Sequence, residues 1–596
     1  MRRRNPALPY GEGGPPQAVG EVSRRDAYVK RYAAKPHPSR FARHSTVHWT
    51  VSPQRGRLSN AIAVLAALAT FSPVLAFAAP AVPAPAGTVG SERPAKDAEI
   101  SDQTGAPQGS AAEARFTLSE IRVEHEGMNL SDGKMAELSA RFVRREITGT
   151  ALSDLLAGLT NYARAHGYPT AAAFIPEQTV TDGRLLVRMM PGRLGKITVE
   201  NESRLFDDVA NGILARLKEK EIIRTKDLES ALHLLDDLSG VHAAGVLSAG
   251  RGVGETDLLV KITNDKPVKG IVYAENYGSE SAGRYRYGLS ASLENVGNVG
   301  GRLTVGGMIS NGEQHAYSIG YEMPVGHSAT KLGIGYSRSD YELGSIFSQL
   351  GAEGIAHTYS FWGETPLWKA SRSALAVTYG FDYRNITDEM LGFNWKKHSA
   401  SWHAGLSGMG RGEGSYLSYR VELRQGTVTA DSDLARQIGE DGRTLGGFWK
   451  GTLDVTAVQG LGHSTDILLK AQGQKASRNL DSSEEIYLGG ARGVRAYPQG
   501  EASGDEGVLS TLELRYHTPL PGLTLSTYLD AGCVTVTKDG DGGSESLKGW
   551  GIAATYSREN DWYARVDYAR RIGSPEVMSE DAQSRDRFWF FVGKMF

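Results

Sequence analysis

The stretch Arg284-Tyr-Arg-Tyr-Gly-Leu-Ser-Ala-Ser-Leu-Glu294 alternates between two kinds of side chain with a period of two. Successive side chains of a β-strand point to opposite faces. One face of this strand is therefore aromatic and aliphatic, and the other carries charges and hydroxyl groups. Similar segments of about ten residues recur from Val268 onward, which is the length typical of strands that cross a membrane.

The polar face of these segments carries charges of both signs, and aromatic residues gather at the ends of the apolar face. A lipid-facing exterior around a polar lumen explains both features, and closure leaves no strand edge unpaired in the bilayer. We therefore predict a transmembrane β-barrel of about 16 antiparallel strands over residues 266–596, an even number that is typical of outer-membrane barrels. The predicted strands lie near 268–278, 284–295, 301–310, 314–323, 329–339, 354–364, 372–384, 396–407, 414–427, 447–458, 464–475, 506–516, 523–532, 547–557, 561–571 and 586–596.

Bulk properties exclude several other classes of protein. A chain of 596 residues is too long for one ordinary domain. Its formal net charge of −2 gives no basic field that would favour nucleic acid. The single cysteine, Cys533, excludes an intramolecular disulfide framework and a cysteine-based zinc site. The mean hydropathy of −0.33 excludes a multispanning helical membrane protein, but half of each barrel strand faces the lumen, so a barrel remains compatible with it.

The first 79 residues are predicted to be an extended signal region. An apolar core at 61–79 follows a basic segment and ends in the small-x-small pattern Ala76-Phe-Ala78. A permanent membrane anchor is the alternative, and the long leading segment has two explanations, an extended signal or a start codon assigned too far upstream. Residues 80–113 contain too few large apolar side chains to pack a core and are predicted to be a flexible linker.

Two compact α+β units are predicted between the linker and the barrel, at 114–193 and 194–265. Apolar residues recur at helical spacing from Leu152 to Tyr162 in the first unit and from Leu228 to Leu238 in the second. Short alternating strands flank both helices, so the two units form a weak internal repeat with the order β-α-α-β-β. The glycine-rich segment 250–254 precedes a strand rather than a helix, which indicates a hairpin turn and not a phosphate-binding loop.

A long glycine-rich segment interrupts the alternation between the eleventh and twelfth predicted strands. We predict that this segment, 476–505, folds back into the barrel lumen. It carries Arg495 and Tyr497, and Arg492 is a competing arginine. Downstream, Asp530 is an isolated carboxylate on a predicted strand, and we expect a loop arginine to face it. The alternative is that both groups are solvated lumen charges.

Period-two counting assigns Asp530 to the lumen side of its strand. The apolar residues of that strand alternate with the aspartate and define the lipid-facing side. The residues that share the face of Asp530 are Thr524, Ser526 and Tyr528.

A set of small, aromatic and polar residues follows the helix of the first unit at fixed spacings: Gly167, Tyr168, Pro176, Gln178, Asp182 and Gly183. With these residues, the unit at 114–193 resembles the first polypeptide-transport-associated (POTRA) domain of two-partner secretion transporters of the haemolysin/haemagglutinin type, within the outer-membrane protein assembly superfamily. The unit at 194–265 resembles the second POTRA domain of that family.

The barrel region resembles the same family at two further places. Ala496 departs from the loop motif because the family has glycine there, and Lys594 departs from the apolar residue usual near the end of the barrel-assembly signal. The lumen-loop residues of the resemblance are Val494, Arg495 and Tyr497, with Asp530 as their partner, and those of the barrel-assembly signal are Phe590, Val592 and Phe596.

The resemblance implies a transporter in the outer membrane of a Gram-negative bacterium, with its POTRA domains in the periplasm. Its expected partners are an unfolded exoprotein with an N-terminal secretion domain, outer-membrane lipid, and the barrel assembly machinery during biogenesis. Family members often plug the barrel with an N-terminal helix, but 80–112 shows little amphipathic periodicity, so we expect a short plug or none. The alternatives are an outer-membrane insertase of the same superfamily and a passive porin. We expect no enzyme activity, cofactor, metal ion or nucleic acid.

Overall fold

The computed structural model describes residues 100–102, 116–180, 182–326, 330–540, 542–573 and 584–596. The predicted signal region, the small-x-small pattern within it and most of the predicted linker lie outside the described residues. Within these ranges, no helix is both long enough and apolar enough to cross a bilayer.

A short strand, β1 (Ile100–Asp102), lies within the segment predicted to be a linker. It pairs in parallel with residues 245–247, which belong to the second α+β unit. The prediction of a linker without regular structure is therefore wrong at these three residues. Pairing at a sheet edge uses backbone N–H and C=O groups, so it does not require the large apolar side chains that the prediction was based on.

The first α+β unit packs two helices against a small sheet. Helix α2 carries the predicted apolar spacing, and Thr148 caps its start by accepting a hydrogen bond from the N–H of Ala151. Leu155 and Leu159 of this helix pack with Leu185 of the sheet in the core. The elements in order are β2 (Phe116–Thr117), β3 (Glu120–Glu124), α1 (Asp132–Ala140), β4 (Glu146–Ile147), α2 (Gly149–Ala165), β5 (Ala172–Phe174) and β6 (Arg184–Met190).

The second unit repeats this plan with longer strands. Its sheet has the order β1-β8-β9-β7, so β1 and β7 are the two edges. The glycine-rich segment 250–254 joins the antiparallel strands β8 and β9, as expected of a hairpin turn. The elements are β7 (Arg193–Asn201), α3 (Asp207–Leu214), α4 (Thr225–Asp236), β8 (Val241–Ala249) and β9 (Glu255–Asn264).

The remainder of the described chain forms a closed antiparallel barrel of sixteen strands, which confirms the predicted fold class. The segment between its eleventh and twelfth strands contains the short strands β21 (Ile486–Tyr487) and β22 (Ser503–Gly504), and helix α5 (Asp433–Asp441) lies between β18 and β19. The barrel strands are β10 (Val268–Glu275), β11 (Arg286–Val296), β12 (Gly301–Ser310), β13 (His315–Val325), β14 (Thr330–Glu342), β15 (Glu353–Ala370), β16 (Ser373–Met390), β17 (Phe393–Gly412), β18 (Ser415–Ala430), β19 (Gly446–Gly460), β20 (Thr465–Ala476), β23 (Glu506–His517), β24 (Leu523–Thr535), β25 (Ser544–Ser557), β26 (Trp562–Arg571) and β27 (Asp586–Met595).

The two faces of the barrel wall follow the predicted alternation. On β11, Tyr287, Leu289 and Leu293 are exposed on the outside, whereas Ser290 and Glu294 are buried. The strands β15 to β18 are longer than predicted. Polar residues are tolerated on both faces of a strand once it leaves the hydrocarbon layer, so the alternation weakens there and hides the true end of the strand.

The second unit contacts the end of the barrel that carries the short turns. The backbone N–H of Phe206 donates to the carbonyl of Asn298 at 2.8 Å, and the N–H of Ser239 donates to the carbonyl of Gly300 at 3.2 Å. Asp237 pairs with Lys369 at the end of β15. These backbone and ionic contacts hold the second unit at the entrance of the lumen.

Two glycines of the first unit have opposite predicted responses to substitution by alanine. Gly183 has φ +71°, and a Cβ there would lie 2.9 Å from the backbone nitrogen of Ser119. Gly183→Ala should therefore destabilise the unit by about 1–2 kcal/mol or more. Gly158 lies inside α2 with open space around it, so Gly158→Ala should stabilise the unit by about 0.5–1 kcal/mol.

Hydrogen exchange of the α2 amides in the full-length protein measures both changes. We expect faster exchange in the Gly183→Ala variant and slower exchange in the Gly158→Ala variant. Equal changes in the same direction would contradict this assignment of backbone strain.

Candidate functional site

The segment between β20 and β23, which we call the lumen loop (477–505), is an ordered ribbon inside the barrel. The strands β21 and β22 pair antiparallel within it. Asp505, the last residue of the loop, holds the two ends of the loop near β24. Its two carboxylate oxygens accept hydrogen bonds from the N–H groups of Leu480 and Lys538, each at 2.7 Å. Gly490, with φ +121°, turns the chain at the far end of the ribbon.

Arg495 of the lumen loop contacts Asp530 of β24 through two side-chain hydrogen bonds. Its Nε lies 2.9 Å from Asp530 Oδ2, and its Nη2 lies 2.8 Å from Asp530 Oδ1. The backbone N–H of Arg495 also donates to Asp530 Oδ2, at 3.1 Å. This bidentate arrangement fixes both the charge and the direction of the guanidinium.

Further groups of the barrel wall complete the surroundings of Arg495. Its Nη1 lies 3.1 Å from Asp567 Oδ1 and 3.5 Å from Glu513 Oε2. Arg565 bridges the same two carboxylates. The guanidinium carbon lies 3.2 Å from the centroid of the Tyr528 ring, within the range of a cation–π contact. The site is therefore a cluster in which three wall carboxylates share two arginines.

The burial of the Arg495–Asp530 pair determines how much free energy is lost when one partner is removed. Arg495 is 6% exposed and Asp530 is 2% exposed. An exposed ion pair contributes about 0–1 kcal/mol, whereas removal of one partner of a buried pair costs about 3–5 kcal/mol because the other charge is left uncompensated. The larger cost, that of a buried pair, applies to Arg495 and Asp530. Their burial does not fit the alternative of two solvated lumen charges.

The neighbours of Arg495 in the loop pack tightly against the wall. Val494 and Tyr497 are fully buried, and the Arg571 guanidinium carbon lies 4.8 Å from the centroid of the Tyr497 ring. A Cβ at Gly549 of β25 would lie 2.6 Å from the Cβ of Ala496. Ala496 is not among the residues with positive φ, so an alanine is accommodated there without backbone strain.

The sequence left two arginines as candidates for the contact with Asp530. The structure brings Arg495 to the aspartate, whereas Arg492 is exposed. Sequence reasoning missed Glu513, and it also missed Trp589, whose Nε1 donates to the carbonyl of Arg495 at 2.7 Å. Sequence reasoning did not single out Asp567 either, because the alternation shows the face of a residue but not its neighbours on other strands.

The motif residues of the first unit have structural positions within that unit. The side-chain amide of Gln178 pairs with the backbone of Leu186 as a neighbouring strand would. Its Nε2 donates to the carbonyl of Leu186, and its Oε1 accepts from the N–H of the same residue, at 2.7 and 2.8 Å. The Tyr168 hydroxyl accepts from the N–H of Asn129 at 2.7 Å. Gln178 also donates to the carbonyl of Pro176, at 3.3 Å, and Gly167, Asp182 and Gly183 have positive φ.

The last strand closes the barrel against the first one. Phe590, Val592 and Phe596 share one face of the end of the chain, and Val592 and Phe596 are exposed there. Trp589 and Phe591 point the other way and are buried. Lys594, which departs from the apolar residue usual at this position of the signal, pairs with Asp561 in the turn between β25 and β26.

Comparison with known families agrees with this geometry. The family model described as "Haemolysin secretion/activation protein ShlB/FhaC/HecB" matches residues 254–556, about half of the chain. The chain belongs to this family. A second model, described as "POTRA domain, ShlB-type", matches residues 116–192.

Individual relatives match most of the length of this chain. It is 26% identical over 503 residues to the heme/hemopexin transporter protein HuxB of Haemophilus influenzae, a match that covers 81% of this chain and 87% of the relative. It is 23% identical to the outer membrane transporter CdiB of Dickeya dadantii, with coverage of 76% and 81%. The solved structure of CdiB from Escherichia coli superposes with a TM-score of 0.63 at 20% identity, over 92% of this chain and 100% of that one.

Membership of the family establishes the function of the barrel. The protein is an outer-membrane transporter of two-partner secretion, and it exports a partner exoprotein across that membrane. The α+β units therefore lie on the periplasmic side, and the end of the barrel that carries the lumen loop faces the cell exterior.

The cluster around Arg495 predicts a graded response to substitution. Arg495→Ala should accelerate hydrogen exchange of the amides at 494–497 by at least about 100-fold, because a loss of 3 kcal/mol or more corresponds to that factor. Arg495→Lys should give an intermediate effect, since an ammonium group keeps the charge but loses the bidentate geometry.

The matched control is Arg420→Ala, which removes an exposed arginine from β18. It should leave exchange at the loop tip unchanged. Protection at 494–497 that survives Arg495→Ala would show that the ion pair does not hold the tip.

Proposed function

We propose that the two α+β units capture the unfolded exoprotein in the periplasm through its N-terminal secretion domain and deliver it to the barrel lumen. In this proposal, the units at 114–193 and 194–265 are both POTRA domains. The support for the second is its repetition of the first unit's plan and its position against the turns of the barrel. Residues 266–596 then form the channel.

Backbone pairing is the proposed mode of capture. An extended segment can add a strand to an exposed sheet edge, with affinity from main-chain hydrogen bonds and little dependence on sequence. The first unit offers β3 and β5 as edges of its main sheet, and the second unit offers β7. This mode suits a transporter that must bind its cargo before the cargo folds.

The lumen loop is the proposed gate. In the structure it occupies the lumen, so an exported chain must displace it or share the space with it. Such a gate has two states, and the exoprotein opens it only by binding the open form better than the closed one. The observation that carries this proposal is the buried Arg495–Asp530 pair, which gives the closed form a defined position.

We propose no catalytic step and no cofactor for this transport. Among the described residues, no group of three histidine, cysteine or acidic side chains is arranged to hold a metal ion. We propose instead that folding of the exoprotein outside the cell gives export its direction. We also propose that outer-membrane lipid surrounds the apolar exterior and that the barrel assembly machinery recognises Phe590, Val592 and Phe596 during biogenesis.

An insertase of the same superfamily was the main alternative. The solved BamA structure from Haemophilus ducreyi, which lacks POTRA domains 1–3, superposes with a TM-score of 0.51 at 14% identity, over 81% of this chain and 100% of that one. A likeness at this level of identity shows a shared barrel fold only. The family match therefore decides between the two functions in favour of secretion.

Co-expression with candidate exoproteins tests the proposed function. Deletion of 114–264 should abolish export while the barrel still inserts into the outer membrane, because the capture site is lost and the barrel strands are intact. Arg495→Ala should reduce export more than it reduces barrel assembly. Normal export by both variants would contradict the proposed mechanism, and Arg420→Ala provides the control for a lumen substitution outside the Arg495 cluster.

A further inference from the structure

A second group of ion pairs joins the lumen loop to a different part of the barrel wall. Asp481 Oδ2 lies 2.7 Å from Lys397 Nζ of β17, and Glu484 Oε2 lies 2.8 Å from Lys450 Nζ of β19. Arg384 of β16 completes the group, with Nη1 3.5 Å from Glu484 Oε1 and 3.3 Å from the carbonyl of Ser483. These contacts involve the first arm of the loop, before β21.

This second group is buried to a degree that lysines rarely tolerate. The side chains of Glu484 and Asp481 are 4% and 8% exposed, and those of Lys450 and Lys397 are 11% and 16% exposed. Lysine is almost never buried without a charged partner, because its ammonium group loses strong hydration. Each lysine of the wall therefore needs the carboxylate that the loop supplies.

The two groups of ion pairs lie on different sectors of the barrel wall. The loop joins β20 to β23, its first arm contacts β16, β17 and β19, and Arg495 contacts β23, β24 and β26. The two sectors therefore flank the strands from which the loop starts and to which it returns.

The polarity of the two contacts is reversed. On one side, the basic Arg495 of the loop enters an acidic wall, and on the other side, the acidic Asp481 and Glu484 enter a basic wall. A shift of the loop toward one sector of the wall removes the loop's partner from the other sector, and the ion pair that Asp530 or Lys450 makes with the loop is then lost. The two contacts therefore oppose displacement of the loop in different directions.

We propose that Asp481 and Glu484, with Lys397, Lys450 and Arg384, form a second anchor that must release before the lumen opens. We call this group the arm anchor, and the Arg495 cluster the tip anchor. The inference rests on the proposed function, in which the loop is the gate. In this inference, the arm anchor and the tip anchor together hold the loop in its closed position.

The arm anchor predicts cooperative opening. With only the tip anchor broken, the arm still lies across the β16–β19 side of the lumen. With only the arm anchor broken, the tip still lies against β24. Both must be broken for the full cross-section to become free, so the double variant should exceed the sum of the single ones.

Single-channel recording of the full-length protein in planar bilayers tests this without any exoprotein. The variants are Asp481→Asn with Glu484→Gln for the arm anchor, Arg495→Gln for the tip anchor, and all three together. We expect modest increases in open probability for each anchor alone and an increase of at least about tenfold beyond their sum for the combination. Asp466→Asn is the matched control, because it neutralises a partly buried carboxylate whose partners Arg515 and His517 lie outside the loop.

Charge reversal separates anchoring from misfolding. Glu484→Lys alone should raise the open probability modestly, and Glu484→Lys combined with Lys450→Glu should return the open probability toward the wild-type value. Conductance of the arm-anchor variant equal to wild type, together with no further gain in the combined variant, would overturn the proposal.

An export assay on the same variants distinguishes this inference from the proposed function. If conductance changes as expected and export does not, the loop has two anchors but is not the gate for the exoprotein. If conductance does not change and deletion of 114–264 still abolishes export, the capture mechanism survives and the arm anchor does not.

Discussion

A guanidinium buried among three carboxylates fixes the tip of the lumen loop against the barrel wall. In the proposed gate, the tip of the closed form is held by that contact. Arg495 cannot leave the wall without uncovering Asp530, Glu513 and Asp567, for which Arg565 would be the remaining cation of the cluster. Because the site excludes most water, neither partner can be replaced cheaply by solvent. In the proposed mechanism, this contact keeps the lumen closed until the exoprotein binds the open form.

The barrel, the lumen loop and the second α+β unit are arranged around this contact. Closure of sixteen strands satisfies the backbone hydrogen bonds within the membrane and encloses a polar lumen. The loop lies in this lumen, and Asp505 holds it through hydrogen bonds from the backbone N–H groups of Leu480 and Lys538. At the periplasmic end, backbone hydrogen bonds and the Lys369–Asp237 pair hold the second α+β unit beside the entrance, so the proposed capture site and the channel are adjacent.

Much of this architecture follows from the sequence, and the parts that do not have physical causes. Period-two alternation located all sixteen strands and placed Asp530 on the lumen face, because lipid requires an apolar exterior. Alternation assigns each residue to a face but does not distinguish registers that differ by two residues. The partners Glu513 and Asp567 and the ion pairs of Lys397 and Lys450 therefore could not be assigned from it. Strand β1 was missed because edge pairing depends on the backbone rather than on side chains.

The distance between the lumen loop and a periplasmic turn of the barrel shows directly whether the loop is displaced during export. Spin labels at Gln499 in the loop and Glu559 in a periplasmic turn, with Cys533→Ser to remove the exposed native thiol, report this distance by pulsed electron resonance. We expect one narrow distance distribution in the resting transporter and a second, distinct distance when a partly exported exoprotein is arrested in the barrel. An unchanged distribution in the arrested complex would mean that the loop is not a gate.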